Sequence, residues 1–304
     1  MLALSTVWNA GRRETGLEVI TEIQGTDISC VELNFFLDSK MVEEILDYCR
    51  THGLSIVSLH NFCPVPEGLE RLKTLPDHFS LAALDETERL LAVDHTRNTL
   101  LTARRCGASC VVLHCGRAEI KDRTRHLIRL AQEGKKETQE YREDFAAFVE
   151  ERKNKSRGHV PQLIKSLKTL SETAEEYGLR LGIENRFYYR EIPFLDEFGE
   201  IFGALEGRPV GLWLDVGHNF ILEQLGFLTH GKLLKDYGSR LIGIHLHNVN
   251  NLVDHQAAMT GQVNFNDFKP YVRPETIKVM ELHGHVTQEE VKESAVYFRE
   301  VFGD

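Results

Sequence analysis

An alternation of two patterns most limits the folds open to this chain. Eight short, apolar, β-rich runs recur along it: LALSTVW (2–8), SCVELNF (29–35), LSIVSLH (54–60), SCVVLHC (109–115), LRLGIEN (179–185), VGLWLD (210–215), LIGIHLH (241–247) and TIKVMEL (276–282). Helical patterning fills the gaps between them. In 41–53, Ile45, Leu46 and Cys49 share one face ahead of Gly53; in 162–178, Leu163, Leu167, Leu170, Ala174 and Tyr177 recur at steps of four and three ahead of Gly178. Thr287, with Glu290 three residues on, has the spacing of a capping box and opens a helix over 287–302.

Near-continuous apolar strands alternating with helices specify a parallel sheet covered on both faces. Eight units favour a closed (β/α)8 barrel, a TIM barrel of the α/β class, over an open doubly wound sheet. The first strand–helix turn, WNAGRRE, also lacks the G-x-G-x-x-G of a dinucleotide site. The expectation is a single TIM-barrel domain over 1–304.

One unit is oversized. After the fourth strand, residues 116–161 are intensely charged and helix-compatible, and they read as a long, solvated helical excursion, with a lid or a dimer contact as the functional alternative. Residues 62–85 form a second long loop, rich in proline, at the same end of the barrel.

Composition narrows the class of partner. With 36 Lys+Arg against 46 Asp+Glu, the net charge of −10 weighs against bulk nucleic-acid binding. No apolar run has the length of a membrane span, and the N-terminus does not have the layout of a signal peptide. The six cysteines form no C-x-x-C pair and read as buried, reduced thiols, which points to a cytoplasmic protein. Whether it forms a homo-oligomer stays open.

The polar residues fall at the strand ends. In a barrel of this kind the active site lies where the strands finish, and here they finish on Glu32, His60, His114, Glu184, Asp215, His245 with His247, and Glu281. Glu184, Asp215, His245 and Glu281 each lie about one βα unit apart, so they should meet in one cavity. Converging carboxylates repel unless a cation neutralises them. Three carboxylates and one imidazole give an oxygen-rich shell suited to one divalent ion, Mn2+ foremost, with Co2+, Mg2+ or Zn2+ as alternatives.

The segments LGIENR, LWLDVGHN, IGIHLHNVN followed by DHQ and TGQVNF, and VMELH resemble the sugar phosphate isomerase/epimerase superfamily, the xylose isomerase-like TIM barrels. That superfamily includes ketose 3-epimerases, inosose dehydratases and the AP endonuclease family 2. The resemblance covers essentially the whole chain and is strongest over 179–302. It implies that Glu184, Asp215, His245 and Glu281 are metal ligands and that His218 contacts substrate. It also places His60 and His114 among the cavity histidines, which bind extra zinc in the endonuclease branch, and matches Glu32 to a frequent second-strand Glu. There are departures. The endonuclease branch has Asp-x-His after the seventh strand, whereas Asp254 and His255 are adjacent here, which argues against a full trinuclear zinc cluster. Asn248 stands where many relatives carry Asp.

The expected chemistry is that of a metal-dependent sugar (phosphate) isomerase or epimerase acting on a carbohydrate. Glu184 and Glu281 would exchange the proton next to a carbonyl while the metal stabilises the enediolate. His218, Arg186, His60, His114, His247, Glu32 and His255 are the expected substrate contacts. Two alternatives share the frame: an inosose-type dehydratase or lyase, and an AP-endonuclease-like phosphodiesterase. His283 and His285 read as exposed loop histidines, TGQVNF (260–265) as an ordinary turn, and the aromatics of FYYREIP (187–193) as either pocket wall or loop packing.

Overall fold

A computed structural model describes residues 1–303. The strands in chain order are β1 (Leu2–Ser5), β2 (Cys30–Leu33), β3 (Ser55–His60), β4 (Cys110–Leu113), β5 (Arg180–Glu184), β6 (Val210–Asp215), β7 (Leu241–Leu246), β8 (Asn248–Asn250), β9 (Val253–Gln256) and β10 (Ile277–Met280). Eight of them close a barrel in the order β1-β10-β7-β6-β5-β4-β3-β2, with every neighbouring pair parallel. The remaining two, β8 and β9, form an antiparallel hairpin between β7 and β10.

The strand period of two decides what enters the lumen. Alternate residues of the strands pack there, including Ala3, Cys30, Cys110, Val112, Trp213 and Val279. The indole of Trp213 fills the middle, and this is possible because β7 carries glycine beside it: a Cβ on Gly243 would come within 2.1 Å of the ring. Two residues beyond each of Gly182, Trp213, Gly243 and Val279, on the same side, stand Glu184, Asp215, His245 and Glu281. The metal-ligand candidates are therefore the next layer of the lumen, resting on the tryptophan.

The helices start and stop where local chemistry dictates. Asp38 caps the helix Ser39–His52, which Gly53 ends in the left-handed conformation, and Thr287 and Glu290 form the capping box of Gln288–Phe302. The first strand is shorter than its apolar run. Val7–Ala10 turns into a short helix, and the Trp8 indole leaves the sheet to donate to the Val286 carbonyl at 2.8 Å.

The charged excursion is not simply solvated. It forms helices Thr124–Gln132 and Gln139–Lys155 and a 3-10 turn Ser156–Gly158, ahead of the helix His159–Tyr177. Phe148 is fully buried, and Arg152 binds both oxygens of Glu197 at 2.9 and 2.8 Å. The same guanidinium donates to the carbonyls of Tyr189 (2.5 Å) and Glu191 (2.7 Å), so the excursion clamps the loop that follows β5. Among the described residues, no helix is long and apolar enough to cross a membrane.

Candidate metal centre and its cavity

Asp215 ends β6 and at once caps the next helix, Val216–Leu225, accepting from the His218 N–H at 2.7 Å. The sequence DVGH performs both tasks. Gly217 leaves room for the His247 imidazole, which a Cβ there would meet at 2.1 Å. His247 Nε2 then lies 3.0 and 2.9 Å from the two Asp215 oxygens. Asn185 fixes the Asp215 backbone, donating to its carbonyl (3.0 Å) and accepting from its N–H (2.7 Å).

His245 is oriented from the other side. Its Nε2 faces Glu32 Oε1 at 3.1 Å, and Ser58 Oγ donates to the other Glu32 oxygen at 2.8 Å. A ring that donates from Nε2 directs its Nδ1 lone pair the opposite way. There Nδ1 lies 3.2 Å from Glu281 Oε2, 3.5 Å from Glu184 Oε1 and 3.9 Å from Asp215 Oδ2. Among the described residues it has no hydrogen-bond partner.

A divalent ion fits this set. One ligand atom from each of Glu184, Asp215, His245 and Glu281 lies within 4.8 Å of all the others, and all four residues are buried. Ligand atoms about 2.0–2.2 Å from one ion sit roughly 3–3.6 Å apart, and an orphaned imidazole nitrogen facing three carboxylates is the arrangement such an ion completes.

The electrostatics of the cluster are uneven. Burial alone would raise the Glu184 pKa, but Arg186 and His114 beside it hold it well below the usual carboxylate range. Glu281 lacks such a neighbour; burial, with the Glu184 and Asp215 charges, pushes it up to about 7 against the pull of His245. Burial opposes charging of His245, yet Glu281 and Glu32 raise it well above the ordinary imidazole value. His247 rises to about 9 because Asp215 outweighs its burial.

Above the cluster opens a cavity of about 440 Å3 at the C-terminal ends of the strands. Glu184, Glu281, His60, His114, Arg186, His218 and His255 line it; Asp215 and His245 lie beneath its floor. Two expected substrate contacts do not reach the wall. Glu32 and His247 are fully buried, Glu32 behind His245 and His247 behind Asp215 in the space that Gly217 leaves.

The adjacent pair Asp254–His255 also behaves unlike its spacing. Neighbours in a regular strand point to opposite sides, but His255 has a φ of 54° and the hairpin register slips between Asn248 and Asn250. As a result His218, Asp254 and His255 bring one ligand-type atom each within 4.8 Å of the others, so adjacency does not bar the grouping.

Other wall residues carried no sequence signal. Arg125, Ile128 and Gln132 come from the excursion helix, which thereby forms part of the rim. The aromatics after β5 divide: Phe187 and Tyr188 line the cavity, whereas Tyr189 stacks on Phe227 with centroids 4.0 Å apart. His283, although exposed, lines the mouth and stacks on His255 at 3.7 Å. In TGQVNF the Gln262 and Val263 N–H groups are taken up by the Val249 carbonyl and by Asn248 Oδ1.

Residues 20–300 match the family described as xylose isomerase-like TIM barrel. The chain belongs to the xylose isomerase-like TIM-barrel family. A protein of Methanocaldococcus jannaschii, uncharacterized protein MJ1614, is 32% identical over 123 residues, which is 40% of this chain and 45% of that protein's length. A D-tagatose 3-epimerase-like protein of known structure superposes with a TM-score of 0.66 at 16% identity, covering 99% of this chain and 96% of its own. The IolI protein, solved with a bound zinc atom, gives 0.67 at 13% identity, covering 99% and 97%. At such identities the likeness to these two structures is one of fold.

Proposed function

We propose that the protein is a divalent-metal-dependent isomerase or epimerase of ketoses or related polyol-ketones, moving a proton at the carbon next to a carbonyl. One observation carries this reading: of the four residues in the acidic cluster, Glu184 and Glu281 line the cavity, while Asp215 and His245 are sealed beneath it. Two groups are thus free to hold an ion and two are placed to meet a substrate as well. An ion held by the four residues, whether Mn2+, Co2+, Mg2+ or Zn2+, supplies Lewis-acid polarisation of a carbonyl.

Glu184 ends β5 and Glu281 follows β10, three places apart in the ring of eight strands, so they approach a bound sugar from different sides. When one carboxylate takes the proton from one face of the carbon and the other returns a proton to the opposite face, the configuration there inverts. His218, with Nδ1 3.5 Å from Glu184 Oε1, and Arg186 are positioned to orient substrate hydroxyls. Phe35, Phe187 and Tyr188 give the cavity an apolar wall for the carbon face of a sugar. The likeness to a D-tagatose 3-epimerase-like protein supports the same substrate class.

The test is solvent exchange. Protein reconstituted with each ion is incubated with a ketose and inosose panel in deuterated water, and label and product configuration are followed. Glu184→Gln and Glu281→Gln should each slow inversion by about 10²–10⁴-fold; full inversion in either variant rules out its proposed part. A product lighter by one water would instead indicate the dehydratase chemistry.

A phosphodiesterase is the second reading, supported by the additional His218–Asp254–His255 grouping. The net charge of −10 weighs against it, since backbone binding to nucleic acid needs many cationic contacts. Cleavage of a duplex carrying an abasic site would favour it.

A further inference from the structure

A second buried set of ligand-type atoms adjoins the first. His60, His114 and Glu184 each bring one such atom within 4.8 Å of the others. Both imidazoles aim at the same oxygen: His114 Nε2 lies 2.8 Å and His60 Nε2 3.4 Å from Glu184 Oε2. The other Glu184 oxygen faces His245 and His218. Geometry alone makes this a place for a second ion, with Glu184 bridging.

That place already contains a positive charge. Arg186 Nη1 is 3.0 Å from Glu184 Oε2 and also donates to His114 Nε2, so one guanidinium nitrogen engages two of the three ligand atoms at once. Arg186 is 8% exposed. Its other terminal nitrogen lies 3.3 Å from Glu191 Oε1, and Glu191 is buried and held by the Tyr188 N–H at 2.8 Å. A guanidinium does not give up its proton in a protein. If it swung out, Glu191 would remain as an uncompensated buried carboxylate, which is strongly unfavourable.

We propose that Arg186 is the resident cation of the His60–His114–Glu184 set, occupying the position of a second metal ion and restricting that side of the cavity to hydrogen bonding. A metal ion there could exchange ligands or activate a water molecule. A guanidinium does neither; it offers fixed N–H donors to a substrate oxygen. This inference rests on the metal-centre part of the reading above and not on the substrate.

Metal stoichiometry tests it without turnover. Wild type, Arg186→Ala, Arg186→Lys, His114→Ala and the double variant Arg186→Ala with His114→Ala are loaded with Co2+, desalted, checked for folding by circular dichroism, and assayed by elemental analysis and visible absorption. Arg186→Ala should hold one more ion per chain than wild type. The double variant should return to the wild-type number, and Arg186→Lys should keep it. The proposal is overturned if folded Arg186→Ala gains no ion, or if His114→Ala alone loses one. Asp215→Ala separates the two claims: if it leaves wild-type binding intact, the metal centre proposed above fails, whatever Arg186 does.

Discussion

His245 points its Nδ1 into the acidic cluster because its Nε2 lies 3.1 Å from Glu32 Oε1. Glu32 touches no solvent and does not line the cavity, yet it sets which nitrogen of the ring faces the ligand position. Outer carboxylates of this kind typically contribute about 10–100-fold to metal affinity. Glu32→Gln should therefore weaken Co2+ binding by a factor in that range, with the fold retained, as measured by titration of the visible bands. Ser58→Ala, which removes only the hydroxyl donating to Glu32, should have a smaller effect in the same direction.

Ion binding should release protons. Without an ion, Glu281 is pushed up to about 7 and His245 well above its ordinary value, so both carry protons near neutrality. An ion displaces them. The sign follows: affinity falls as pH drops through 7, where Glu281 becomes more fully protonated, and rises as pH climbs and Glu281 loses its proton. Calorimetric titration in two buffers of different ionisation enthalpy, at pH 6 and pH 8, should show more protons released per ion at the lower pH. Equal release at both would contradict this account of the cluster.

Gly243 and Trp213 share one volume in the lumen. A methyl group on residue 243 would meet the indole at 2.1 Å, and the ring is enclosed on all sides. Gly243→Ala should lower stability by at least the roughly 1–3 kcal/mol typical of overpacking, read from urea denaturation. Because the ring packs against His245 with centroids 5.1 Å apart, ion binding should weaken as well. Combining Gly243→Ala with Trp213→Leu should recover part of the stability loss, giving a non-zero coupling in the double-mutant cycle.

The excursion helices depend on Arg152. Removing one partner of a buried ion pair costs about 3–5 kcal/mol, because the other charge is left unpaired. Arg152→Ala should produce a loss of that order, whereas Arg152→Met with Glu197→Leu should lose much less. Limited proteolysis should show earlier cutting over 187–193 in the single variant, since Arg152 holds the Tyr189 and Glu191 carbonyls.

The alternation of apolar runs and helical patterns determined the barrel, because a chain with eight near-continuous strands must bury both faces of each. The period of two along LGIE, WLD, GIH and VME also determined that Glu184, Asp215, His245 and Glu281 share one side, and their position at strand ends brought them to one rim. Only the tertiary structure decided depth and neighbours. Glu32 and His247 look like cavity residues in the sequence but are packed behind His245 and Asp215, which the partners across the lumen decide. Arg125 and Gln132 reach the cavity from a helix tied down by partners elsewhere in the chain: Thr124 Oγ1 accepts from the Tyr189 N–H, and Gln132 donates to the Asn251 carbonyl. Asp254 and His255 come together in a hairpin whose left-handed residues, Asn251, Leu252 and His255, no periodicity announces. Spacing along a chain reports direction within an element; it carries no information about which element lies across the gap, and that is set by packing.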